Sequence, residues 1–84
     1  MLTPIQRKIL QLLSEHTRGL TVREIVEEND KETQGIQVEE LNSTLLNLAV
    51  LRLLRSEEES GHKKWLITLE GLGAIGAVEN WPWP

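Results

Sequence analysis

Apolar residues return along this chain at two different periods, and the change comes at Leu53. Before it the spacing is helical. In LTPIQRKILQLLSEH, Ile5, Ile9, Leu12 and Leu13 fall on one face, with Leu10 at its edge. Thr3 suits the N-cap, Pro4 the first helical position, and Gln6 completes a capping box. Arg18-Gly19 ends the element, since glycine takes the left-handed conformation that follows a helix. LTVREIVEEND repeats the logic: Thr21-x-x-Glu24 is a second capping box, with Leu20 and Ile25 as its hydrophobic staple. Val22, Ile25 and Val26 give that short helix one apolar face. Glu27, Glu28 and Asp30 oppose the macrodipole and predict an early stop, so residues 29–36 read as loop. A longer helix is expected over residues 37–51, with Val38, Leu41, Leu45 and Leu48 on its core face. Its last turn, residues 48–51, is apolar nearly all round and calls for a cover from another element or another chain.

From Leu53 the pattern is that of strands. Leu53-Leu54-Arg55 and residues 64–68 flank a polar stretch containing Ser60-Gly61, a good turn dipeptide. A β-hairpin with its tip at residues 58–62 is the natural reading. Thr68 then caps a final helix in LEGLGAIGAVEN. Gly71, Gly73 and Gly76 each cost that helix roughly 1 kcal/mol against alanine, so something must pack closely on them. The chain ends in WPWP, where each proline pushes the preceding tryptophan into extended geometry. Trp81 and Trp83 either fold back over the domain's own core or dock on a partner chain. The division is a domain over residues 1–78 and a Trp/Pro tail over 79–84.

Composition narrows the classes. The 84 residues suffice for one small domain, with 39% hydrophobic and 26% charged residues in an ordinary globular balance. Tryptophan is the only aromatic, so leucine, isoleucine and valine must build the core. The absence of cysteine excludes disulfides, thiolate metal sites and a cysteine nucleophile, and agrees with a cytoplasmic location. No apolar run approaches the roughly 20 residues of a membrane span. His16 and His62 have no ligand-spaced neighbours, and Ser14-Glu15-His16 cannot converge because adjacent helical positions diverge. No metal, cofactor or catalytic constellation is expected, and the chain reads as non-enzymatic.

Helix, helix, helix, hairpin, helix is the order of a winged helix-turn-helix domain, a mainly α fold with a small β-hairpin. Leu45-x-x-Leu48-x-x-x-Arg52-Leu53-Leu54 resembles the L-x-x-L-x-x-x-G-L-I pattern that leads from recognition helix to wing in MarR-like and related bacterial and archaeal regulators. Trp65-x-Ile67-Thr68-x-x-Gly71 is similar to their Y-x-L-T-x-x-G, which closes the wing. The resemblance covers residues 3–78. It implies a three-helix core, a wing, a C-terminal helix and a role in transcription regulation. Arg52 stands where the pattern has glycine. A left-handed arginine costs on the order of 1 kcal/mol, which favours a different turn at this point.

That resemblance implies that residues 37–51 face base edges in duplex DNA, through Gln37, Asn42, Ser43 and Asn47. Arg52, Arg55, Lys63 and Lys64 would contact the phosphate backbone. The charge pattern cuts the other way. The net charge is −4, no base lies between Lys31 and Arg52, and Glu57, Glu58 and Glu59 crowd the tip of the wing. The alternative is a protein-interaction module that binds no DNA and assembles as a homodimer or with another protein. Leu51, Ile75, Trp81 and Trp83 are the candidates for that contact.

Overall fold

The computed structural model describes residues 2–32 and 37–81, the side chains of 29–32 and 80 excepted. Three helices come first, α1 over Pro4–Glu15, α2 over Val22–Glu32 and α3 over Val38–Val50. Strands β1 (Leu54–Glu59) and β2 (His62–Ile67) form an antiparallel hairpin, and helix α4 (Leu69–Ala74) follows, with a 3₁₀ turn at Val78–Asn80. The described residues form a mixed α+β fold with four helices and one two-stranded hairpin.

Both capping boxes form as the spacing requires. Thr3 Oγ1 accepts from the Gln6 amide at 3.1 Å while Gln6 Oε1 accepts from the Thr3 amide at 2.9 Å. Glu24 and Thr21 exchange the same pair of bonds at 3.0 and 3.2 Å. Each exchange satisfies amides that a helix start would otherwise leave unpaired. The buried stripes follow the helical period: Ile9, Leu10 and Leu13 from α1, Ile25 from α2, and Leu41, Leu45 and Leu48 from α3. Leu54, Trp65 and Ile67 on the hairpin and Leu72 on α4 close the same core. Val38 does not belong to it. This residue opens α3 and is 51% exposed, because no described element covers the helix's first turn.

Helix α2 runs further than its acids predict, through residues 29–32. Nothing before Gly35 breaks a helix, and a carboxylate facing the macrodipole in water costs only about 0.3–1 kcal/mol. The rest of the predicted loop, residues 33–36, lies outside the described residues.

The hairpin is longer than its apolar runs. Ser60 and Gly61 both take positive φ, 54° and 80°, the two-residue turn whose twist matches paired strands. Glu57, Glu58 and Glu59 therefore sit within β1, opposite Lys64, Lys63 and His62. At its base the hairpin is covered on both faces. Leu54, Trp65 and Ile67 face the helices, while Leu66 on the other side lies under the turn after α1. A β-carbon on Gly19 would come within 2.8 Å of Leu66 Cγ. That turn is also bridged to the edge of the hairpin: Leu20 and Trp65 exchange backbone hydrogen bonds of 3.0 and 2.7 Å.

Three segments meet where α3 gives way to β1. Arg52 takes a left-handed φ of 63°, so the turn glycine usually makes is made here by arginine. The Arg52 amide donates to Ala49 O at 3.0 Å and the Leu53 amide to Leu48 O at 2.9 Å, the paired bonds of a Schellman ending. Across the domain, Thr68 closes on this turn: its amide donates to Leu53 O at 3.1 Å and its hydroxyl to Arg52 O at 2.8 Å. The same hydroxyl oxygen accepts from the Gly71 amide at 3.0 Å and so caps α4. Gly71 lies so near that a β-carbon on it would stand 2.2 Å from Leu53 O. Helix α4 is short because Gly76, at φ 71°, ends it with a second Schellman pair, Ala77 to Leu72 O and Gly76 to Gly73 O.

The glycines of α4 should therefore behave oppositely. Gly71→Ala must displace the Leu53 carbonyl and should cost about 3 kcal/mol. Gly73, with nothing within 4 Å of its would-be β-carbon, should accept alanine and gain up to about 1 kcal/mol. Urea denaturation of the two variants measures the contrast.

Candidate functional site

The outward side of α3 is the surface that the sequence pattern singles out. Asn42, Ser43 and Asn47 are exposed there, and Gln37, the N-cap residue, is exposed at the start of the helix. The stripe opposite the buried Leu41, Leu45 and Leu48 contains something else as well. Glu39, Ser43, Leu46 and Val50 recur at steps of four, three and four residues and so share one face. Leu46 is 56% exposed and Val50 80%, and Leu51 beside them is 56% exposed. This helix presents acids at its amino end and apolar side chains at its carboxyl end. It carries no lysine or arginine from residue 38 to residue 50.

Leu46 and Val50 escape a search for the core stripe, which stops at Leu48. Their signal is the opposite stripe, visible once the spacing 39, 43, 46, 50 is set against 41, 45, 48.

The basic residues of the hairpin are engaged within the hairpin itself. Arg55 pairs with Glu57 on the same strand. Lys64 Nζ lies 3.9 Å from Glu59 Oε2. Lys63 Nζ sits 4.8 Å above the centre of the Trp65 ring, a cation–π distance. Three bases, Arg55, Lys63 and Lys64, stand against three acids, so strands β1 and β2 sum to zero charge with His62 neutral. Such exposed pairs contribute little stability, about 0.2–1 kcal/mol each. Their larger effect is on the field, because a wing for the minor groove needs a surplus of positive charge. Over residues 37–67 five acids meet four bases.

Between the start of α2 and the tip of the hairpin lies an open cleft of about 550 Å³ lined by Thr21, Arg23, Glu24, Glu59, Ser60, His62 and Lys64. Its charges are largely paired off, Lys64 with Glu59 and Arg23 Nε with Glu27 at 3.5 Å. Glu24 is held below the ordinary carboxylate range, chiefly by the hydrogen bond from the Thr21 amide, with the Thr21 hydroxyl, Lys64 and His16 adding to it. Among the described residues, no three His, Asp or Glu side chains converge as metal ligands. No described helix is long and apolar enough to cross a membrane.

Of the residues proposed for contact with a partner chain, Leu51 is exposed, while Ile75 and Trp81 are half-buried against the domain's own core. Trp81 thus takes the first of its two courses. Trp83 lies outside the described residues.

The lowered value of Glu24 has a consequence for stability. Its contribution is complete above the unfolded glutamate value of about 4.3 and disappears as pH falls through the lower folded one. Glu24→Gln should lower stability at neutral pH and flatten the acid limb of the stability–pH curve. Urea midpoints measured from about pH 7 down to about pH 3 give the comparison. Set against known proteins, the chain matches no family model, no curated protein and no solved structure.

Proposed function

We propose that this chain is a winged-helix domain that works by protein–protein contact, without catalysis, and that the outward face of α3 is its docking surface. The winged-helix reading is supported by the order of elements and by the Leu20–Trp65 bridge, which joins the α1–α2 turn to the hairpin. The meeting of the two motif segments, residues 52–53 and 67–71, supports it too.

The observation that carries the function is the stripe Glu39, Ser43, Leu46, Val50. A helix placed in the major groove would set Glu39 and Glu40 near phosphates and leave Leu46 and Val50 against polar base edges and water. A protein surface reverses both penalties. Burial of an exposed leucine or valine side chain contributes about 1.5–3 kcal/mol, and contiguous exposed apolar groups ringed by polar ones are the usual mark of an interaction site. The neutral wing fits this reading, since it contributes no steering toward nucleic acid.

The second reading, a DNA-binding regulator, is favoured by the exposure of Gln37, Asn42, Ser43 and Asn47. Titration of labelled duplex DNA at low salt separates the two. The docking reading expects no saturable association. A binding isotherm that weakens in a Lys63→Ala/Lys64→Ala variant, with the salt slope falling by about one per lysine, would establish the regulator instead.

A further inference from the structure

The run Ser56-Glu57-Glu58-Glu59 has no part in the α3 face, and its serine differs from the other described hydroxyls. Thr3, Thr21 and Thr68 cap helices, Thr44 bonds Glu40 O, and Ser14 is buried on Gln11 O. Thr17, Ser43 and Ser60 are exposed, but none is followed by an acid within three residues. Ser56 is exposed, has no side-chain hydrogen bond to a described residue, and precedes three consecutive glutamates.

Its backbone is open as well. Trp65, opposite Ser56, exchanges its two backbone hydrogen bonds with Leu20, so the Ser56–Trp65 pair is of the non-hydrogen-bonded kind. The Ser56 N–H and C=O therefore point to the outer edge of β1, where no described strand pairs with them. Leu54 is the one buried residue of β1, so the segment beyond it carries little of the core. An extended segment with a free edge has the form in which clefts take up a peptide as an added strand. Three acids beside the hydroxyl select a cleft lined with lysine and arginine.

We propose that Ser56 is a phosphorylation site, recognised by a protein serine kinase that selects acids on the carboxyl side of its acceptor. In the transfer, Ser56 Oγ attacks the γ-phosphorus of ATP. The new O–P bond forms as the bond to ADP breaks, and the hydroxyl proton passes to the kinase's catalytic aspartate. This site lies apart from α3 and does not depend on what that helix binds.

The effect on the hairpin is electrostatic. Its strands sum to zero charge, and a phosphate adds about −1.5 to −2. Lys63 shares a face of the sheet with Ser56, diagonally across the strands, and its ammonium lies 4.8 Å over the ring of Trp65. It is the base on that face within reach of the phosphate, so modification draws it from the ring and leaves the hairpin acidic.

The test incubates the folded chain with ATP, magnesium and casein kinase 2, an acid-directed kinase, and reads intact mass with fragmentation. One phosphate should be gained, on Ser56. Ser56→Ala should gain none, Ser60→Ala should behave as the natural chain, and Glu59→Gln should lower kcat/KM about ten-fold or more. In the modified chain, phosphorus NMR against pH should place the phosphoserine titration lower than in its Lys63→Ala variant. A folded chain that gains no phosphate overturns the proposal, as does one modified elsewhere or only after denaturation. A rate indifferent to Glu59→Gln removes the acid-directed kinase, and a titration indifferent to Lys63→Ala removes the pairing with Lys63.

Discussion

The Leu53 carbonyl is the point on which the rest of the domain turns. It accepts from the Thr68 amide while lying against Gly71, so the end of α3, the far end of the hairpin and the first turn of α4 share a volume that leaves no room for a β-carbon. Thr68 adds a second link by bonding Arg52 O and capping α4 with the same hydroxyl. The hairpin is thereby tied at both of its ends to the helical core, by Arg52-Leu53 entering and Thr68 leaving. A two-stranded hairpin alone is marginal in water; this one is held by its ends and by the Leu20 bridge along its edge.

That junction also sets how α3 is presented. With Leu41, Leu45 and Leu48 buried against α1 and the hairpin, the opposite stripe is forced outward, and Leu46 and Val50 go with it. These side chains are exposed because the face that buries their neighbours is already full. The left-handed turn at Arg52 follows from the same constraint. The chain must reverse within two residues to bring Leu54 into the core, and the Schellman bonds do so whether or not the residue at the turn is glycine.

The hairpin shows how local charge and tertiary register interact. Three consecutive glutamates look like an unbalanced acidic tip when read in order. In the paired strands they stand across from Lys64, Lys63 and His62, and the hairpin becomes locally neutral. The acids thus sit on an exposed strand edge with cross-strand counter-charges. This arrangement holds register and discourages edge-to-edge pairing.

By itself the sequence determined the order of the elements, both capping boxes, the Ser60-Gly61 turn and most of the core, because each depends on residues within about four positions of one another. Thr21 and Glu24, or Leu41, Leu45 and Leu48, find each other along a single helix whatever the rest of the chain does. Tertiary structure decided what depends on distant partners. Gly71 reads as a poor helix residue until Leu53 O is found against it. Val38 reads as core until no neighbour reaches it, and Leu46 reads as one more leucine until the opposite stripe is seen to be buried. A sequence period shows which residues share a face, and only the packing of other elements shows which face remains open.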